Sequence, residues 1–118
     1  MLVSVIIPVF NEERYIKELL LSVNKVKNIQ KEIIVINDNS YDNTKEILEK
    51  ECEHLYTKLI NNKKNMGKGY SCRSGIEFSK GEIIIIQDAD LEYNPENYKQ
   101  LIDPIKFNEA QVVYGSRV

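Results

Sequence analysis

Tryptophan is absent, histidine occurs once, cysteine twice, and neither sign of charge dominates: 16 Lys and Arg stand against 18 Asp and Glu in 118 residues, a formal net charge of −2. Each scarcity excludes something. Lys and Glu are interspersed rather than gathered into a basic stripe, so the chain is not built to grip a nucleic-acid backbone. Cys52 and Cys72 stand alone without a C-x-x-C pair, and with His54 as the only imidazole they cannot make a zinc site at such spacings. A reduced, cytoplasmic compartment fits. The apolar stretch from Leu2 to Phe10 lacks a basic flank and a small-residue cleavage site, and it is too short to span a bilayer. No other stretch approaches membrane-spanning length, so membrane association is expected to be peripheral, at the inner face, or to come from a part not present here. Repeats and low-complexity tracts are missing too.

What is present is aliphatic. With 42% apolar residues, the chain suits a single domain over 1–118 with a real core. Its most informative stretch is Ile83-Ile84-Ile85-Ile86-Gln87-Asp88-Ala89-Asp90, an apolar run that ends in two carboxylates one residue apart. So short and uniform a run predicts a strand covered on both faces, as in a parallel sheet between helices. Unpaired carboxylates are costly at the rim of such a strand, which points to a divalent cation and an anionic ligand, with phosphate the obvious anion. Taken alone, the same pair reads equally as solvated turn or capping acids.

The remaining pattern alternates strands with helices. A first strand over 2–7 is expected to stop at Pro8, which has no N–H for a ladder. A helix over 12–26 follows, with Ile16, Leu19, Leu20 and Val23 on one face. The next strand, 32–37, runs into the polar loop Asp38-Asn39-Ser40. A helix over 43–52 has Asp42 or Asn43 as its N-cap, with Glu46 placed for a capping box. A weaker strand over 55–60, a loop over 61–69 and a helix over 70–79 with Gly81 as its C-terminal cap come next. After the 83–86 strand, Asn94 and Pro95 open another helix, with Leu101 and Ile102 facing the core and an end or kink at Pro104. Val112 to Tyr114 forms a fifth strand. Such βαβ units dictate a parallel sheet with right-handed crossovers, an α/β fold. All strand carboxyl ends then share one edge, where Pro8 to Glu12, Asp38 to Ser40, Asp88 to Asp90 and Gly115 to Arg117 converge on one crevice.

Those segments carry a family resemblance. Ser4-Val5-Ile6-Ile7-Pro8-Val9-Phe10-Asn11-Glu12-Glu13, Val35-Ile36-Asn37-Asp38-Asn39-Ser40 with Asp42-Asn43-Thr44, Gly67-Lys68-Gly69, Gly81-Glu82, Gln87 to Glu92 and Gly115-Ser116-Arg117 resemble, in order and spacing, the family 2 glycosyltransferases, and within them the polyprenyl-phosphate (dolichyl-phosphate mannose synthase-like) group. The resemblance implies the nucleotide-sugar-binding half of the GT-A architecture, a three-layer α/β/α arrangement with a mostly parallel sheet, cut off after about the fifth strand. It implies that Pro8, Phe10, Asn11, Glu12 and Asp38 cradle a nucleoside. Lys68, in a loop over the donor, and Arg117 would meet phosphate. Asp88 and Asp90 match the family's D-x-D motif, with Asp90 in the catalytic role and Glu92 offering a third oxygen to Mg or Mn.

The implied reaction moves a sugar from a nucleotide-diphosphate sugar, with inversion, to a lipid phosphate or glycan acceptor. The general base and acceptor elements of relatives lie beyond Val118, so this chain alone is expected to bind a donor and transfer poorly. Two departures stand out. Asn37-Asp38-Asn39 replaces the usual paired aspartates and glycine, and Glu92 stands where many relatives carry glutamine. Structural readings remain beside the functional ones: Asn11 and Glu12 as a helix start, Lys68 as a solvated side chain, Asn37 as structural. A non-catalytic nucleotide-sugar-binding or interaction module can use the same scaffold. A dinucleotide site is disfavoured because the first turn lacks the Gly-rich fingerprint.

Overall fold

The computed structural model describes residues 1–89 and 112–114. Five strands, β1 (Leu2–Val9), β2 (Gln30–Asn37), β3 (Lys58–Asn61), β4 (Ile83–Ile86) and β5 (Val112–Tyr114), are joined in part by three helices, α1 (Ile16–Lys25), α2 (Thr44–Lys50) and α3 (Lys68–Phe78). The strands form one sheet in the order β3-β2-β1-β4-β5, and every pairing is parallel. The expected α/β architecture is therefore present. The helix expected around Pro95, with Leu101, Ile102 and Pro104, lies outside the described residues. Among the described residues no helix is long and apolar enough to cross a membrane.

Alternation along β1 sends its side chains to two different cores. Val3, Val5, Ile7 and Val9 meet Ile16, Leu19, Leu20 and Val23 of α1 and Leu48 of α2 on one face. Ile6 joins Ile34, Ile36 and Ile86 under Cys72 and Ile76 of α3 on the other. Each aliphatic side chain fully buried in this way contributes about 1.5–3 kcal/mol. The helix α3 can come this close because residue 75 is glycine: a Cβ there would sit 2.7 Å from both Ile36 Cδ1 and Ile6 Cγ2.

Several element ends differ from expectation, each for a local reason. β1 does not stop at Pro8 but continues to Val9, with Pro8 opposite Ile36 and Val9 opposite Asn37. Ile6 bonds toward β4, accepting from Gln87 N–H, while Val9 bonds toward the β2 side, accepting from Asp38 N–H. Pro8 shares the parity of Ile6 and so faces β4, whose last paired residue, Ile86, lies opposite Ile6. The missing N–H therefore removes no ladder bond.

The first helix starts at Ile16 rather than at residue 12, because Asn11 is left-handed (φ 53°) and the Glu12 carbonyl accepts from both Tyr15 and Ile16 N–H in a tight turn. The capping box on α2 does not form. Asn43 makes no side-chain cap bond, and the Asp42 carboxylate accepts the Thr44 N–H at 2.9 Å instead. β3 begins three residues later than expected, after a turn closed by Leu55 N–H on the Cys52 carbonyl. Gly81 does not cap α3, whose C-cap is the extended Ser79. It lies against β1, where a Cβ would collide with Ser4 Oγ. The Ser4 hydroxyl accepts the Gly81 N–H at 2.8 Å and donates to buried Glu32 at 2.5 Å. The same Glu32 oxygen takes the Lys80 N–H. This knot fixes the sheet edge opposite the polar loops.

Candidate functional site

Chain order reverses at β1, which continues to β2 on one side and is flanked by β4 on the other. Crevices for ligands open outside the carboxyl ends of strands at such points. A cleft of ≈ 230 Å³ lies there, lined by Pro8 near the end of β1, Phe10 just after it, Glu12, Asp38 after β2, Lys68 of α3 and Asp88 after β4. Six residues expected from sequence thus meet in one place, from segments far apart along the chain. Val9, Ser71 and Ala89 also line it; Val9 and Ala89 lie within segments expected there, and sequence reasoning missed Ser71. Ser71 is three residues past Lys68, on the same helix face, a signal that becomes readable only once Lys68 is known to be helical.

Asp38 is almost wholly buried, at 5% exposure, and its carboxylate is heavily used. Oδ1 accepts from Asn62 Nδ2 (2.9 Å) and Met66 N–H (2.7 Å), and Oδ2 accepts from Gly67 N–H (2.9 Å). Three of roughly four lone-pair sites are therefore taken. Asp38 ties down the segment that leads into α3, and Gly67 supplies the extended positive-φ conformation (φ 92°, ψ 162°), open essentially to glycine alone, that this closure requires.

Asn11 stands beside the cleft rather than in its lining. Its N–H donates to Ser40 Oγ at 2.9 Å and its Oδ1 accepts from Tyr41 and Asp42 N–H, so it staples the loop after β1 to the loop after β2. The Glu12 N–H donates to Thr44 Oγ1 at 2.9 Å, a second staple, while the Glu12 residue itself lines the cleft. Asn39 adopts the left-handed turn (φ 57°) that a glycine usually occupies. Asn37 is buried and structural: its Oδ1 accepts from Ser40 N–H and Oγ, and its Nδ2 donates to Asn61 Oδ1. At the lip, the exposed Phe10 and Tyr41 rings meet edge to face with centroids 5.7 Å apart.

Lys68 is not in a loop between two glycines, as expected, but is the first residue of α3. Its ammonium forms an ion pair with Asp88 Oδ1 across the cleft. Cys72 follows one turn later, its thiol pushed up by burial, drawn down by Lys68 and Arg73 and raised by Asp88. Asp90, Glu92 and Arg117 lie outside the described residues, and among the described residues no three metal-ligating side chains form a cluster.

The model of glycosyl transferase family 2 matches residues 4–118. The chain belongs to that family. Among family 2 relatives, dolichol-phosphate mannosyltransferase from Pyrococcus furiosus is 34% identical over 118 residues, covering 99% of this chain and 33% of the relative. A dolichyl-phosphate beta-glucosyltransferase from Trichomonas vaginalis is 34% identical over 125 residues, covering 95% and 37%. The chain thus spans about a third of the length of these curated relatives. Among solved structures, the mannosyltransferase PcManGT from Pyrobaculum calidifontis in complex with GDP-Man and Mn2+ superposes with a TM-score of 0.74 at 27% identity, over 86% of this chain and 32% of that one. S. aureus TarS 1–349 in complex with UDP-GlcNAc gives 0.73 at 32% identity, over 87% and 31%. The architecture is GT-A.

Asp88 puts into the cleft a carboxylate, the donor type that a hard divalent ion would take. Asp88 already holds a cation there, the Lys68 ammonium. A hard ion that takes few protein carboxylates and completes its shell with phosphate oxygens and water needs no larger cluster.

Proposed function

We propose that this chain is the donor-binding part of a glycosyltransferase that takes a sugar from a nucleotide-diphosphate sugar, with Mg or Mn, and delivers it with inversion to a polyprenyl phosphate or glycan acceptor. The observation that carries this reading is the meeting of Phe10, Glu12, Asp38, Lys68 and Asp88 in one cleft at the reversal point of a parallel sheet. The nucleotide sugars and Mn2+ named with the structural relatives and the dolichyl-phosphate enzymes among the sequence relatives support it.

In this reading the exposed Phe10 ring offers a stacking surface for the base, Pro8 forms the floor, and Glu12 accepts from ribose hydroxyls. Asn11 and Asp38 hold the two loops that shape the nucleoside pocket, and the remaining lone pair of Asp38 accepts from the base. Lys68 and Arg117 bind the diphosphate, the latter with a guanidinium fork suited to phosphate. Asp88 and Asp90, with Glu92, would hold the ion, which when bound supplies Lewis acidity toward the leaving diphosphate. A phosphate acceptor is already an oxyanion at neutral pH and needs no strong general base, whereas a hydroxyl acceptor needs one.

Calorimetric titration with a panel of nucleoside diphosphates and their sugars, with and without Mn2+, tests the proposal. Metal-dependent preference for one base is expected. Absence of binding to every member of the panel overturns it.

A further inference from the structure

Lys68 and Asp88 are 20 residues apart, line the same cleft and are paired through Nζ and Oδ1. The two ends of the pair differ: the Asp88 side chain is 30% exposed and the Lys68 side chain 61%. Asp88 is thus the more sheltered end, just past β4, while the lysine reaches it on a flexible four-carbon stem with freely rotating donors. The lysine start of α3 carries no acidic residue in its first turn. A lone ion approaching Asp88 meets a carboxylate whose charge is already balanced by a neighbouring ammonium. A diphosphate changes that balance, because it offers the ammonium a new anionic partner within the same cleft.

We infer that Lys68 is a resident counter-ion that occupies the metal-binding oxygen of Asp88 until the donor diphosphate draws it away, so that metal and nucleotide enter the cleft together rather than singly. The inference rests on the proposed donor-binding function. Its energetic basis is modest and sufficient. A half-exposed ion pair is cheap to break, so it holds back a weakly bound lone ion without obstructing a diphosphate that compensates the lysine. Coupling of this kind is reciprocal: the nucleotide strengthens metal binding by the same factor as the metal strengthens nucleotide binding. The availability of the Asp88 oxygen, rather than a movement of the sheet, is the quantity being switched.

The test is titration of the 118-residue chain with Mn2+, reading free ion by electron paramagnetic resonance, with and without the nucleoside diphosphate that the panel selects. Lys68→Met is expected to tighten Mn2+ binding in the absence of nucleotide by roughly two- to fivefold, the scale of a surface ion pair, and to reduce the factor by which nucleotide and metal help each other. Arg73→Met removes an equal charge from the same helix without touching Asp88 and is expected to leave Mn2+ affinity unchanged, which separates a pairing effect from a general field effect. If Lys68→Met leaves nucleotide-free Mn2+ affinity unaltered while metal-dependent nucleotide binding persists, the counter-ion role is overturned and donor binding stands. An equal gain in Arg73→Met overturns it as well. If no protein binds nucleotide with Mn2+, donor binding falls and the counter-ion role with it.

Discussion

The Gly67 N–H lies 2.9 Å from Asp38 Oδ2, and through that bond a residue at the end of β2 decides where α3 begins. Lys68 is the next residue, so its reach to Asp88 depends on a buried carboxylate on another strand. Asp38→Asn replaces one oxygen with an amide that cannot accept, leaving at least one of the Met66, Gly67 or Asn62 donors without its partner. An unsatisfied buried donor costs about 1–3 kcal/mol. Urea denaturation is expected to show a loss on that scale. Amide exchange at Met66 and Gly67 is expected to quicken more than exchange in β1; equal protection in both proteins would refute the latch.

Two glycines of one helix are expected to respond oppositely. Gly75→Ala places a Cβ 2.7 Å from Ile36 and Ile6, an overpacking that costs about 1–3 kcal/mol. Ile36→Val removes one of the two opposing carbons and is expected to recover part of that loss in the double variant. Gly69→Ala meets only the end of the flexible Arg73 side chain, at 3.6 Å, and gains helix propensity of up to about 1 kcal/mol. Thermal melts of the four proteins check the sign of each change.

Alkaline pH is expected to weaken the fold through its thiols. Burial raises Cys52 and Cys72 above their ordinary value of 9.0, so the folded state holds these protons more tightly than the unfolded chain. That stability is fully present below pH 9.0 and is lost as pH rises through the folded values. Burial raises Tyr56 as well, with the same sign. Lys31, lowered from 10.5 by burial, acts oppositely, because the unfolded chain binds its proton better. Comparison of the unaltered chain with Cys52→Ala/Cys72→Ala isolates the thiols: the variant's stability curve should fall less steeply above pH 9, and parallel curves would contradict the assignment.

Asp88→Asn is expected to separate binding from folding. Its pairing with Lys68 is partly solvated, and such pairs contribute about 0–1 kcal/mol, so urea midpoints should barely move. Metal-dependent nucleotide binding, by contrast, should weaken at least about tenfold, because a neutral amide is a poor ligand for a hard cation. Calorimetry with Mn2+ reads the second effect. A large stability loss with unchanged binding would make Asp88 a structural residue instead of a metal ligand.

The sheet was legible because its strands are aliphatic runs, Ile33 to Ile36 and Ile83 to Ile86 above all, and because parallel topology sends every polar loop to one edge. That logic was enough to bring Phe10, Glu12, Asp38 and Asp88 together from the sequence, whereas Lys68 followed only from the family resemblance. The boundaries were less legible, since tertiary partners set them. Pro8 stays in β1 because of where β4 ends. Asn11 leaves the helical region to staple two loops, which delays α1. Lys68 becomes helical because Asp38, 30 residues earlier, captures the turn before it. Gly81 reads as a helix cap in one dimension and proves to be a close approach to Ser4 in three. None of these causes lies within a window of neighbouring residues.

The knot of Ser4, Glu32 and Gly81 has a bearing on how such a chain can diverge. It anchors the beginning of β4 to β1, and from there only a short extended stretch leads to Asp88. Side chains on an extended strand alternate between faces, so one inserted or deleted residue between Gly81 and Asp88 would turn the acid away from the cleft. Loops elsewhere can grow or shrink, but this span behaves as a fixed ruler, and its length should be the least negotiable dimension of the molecule.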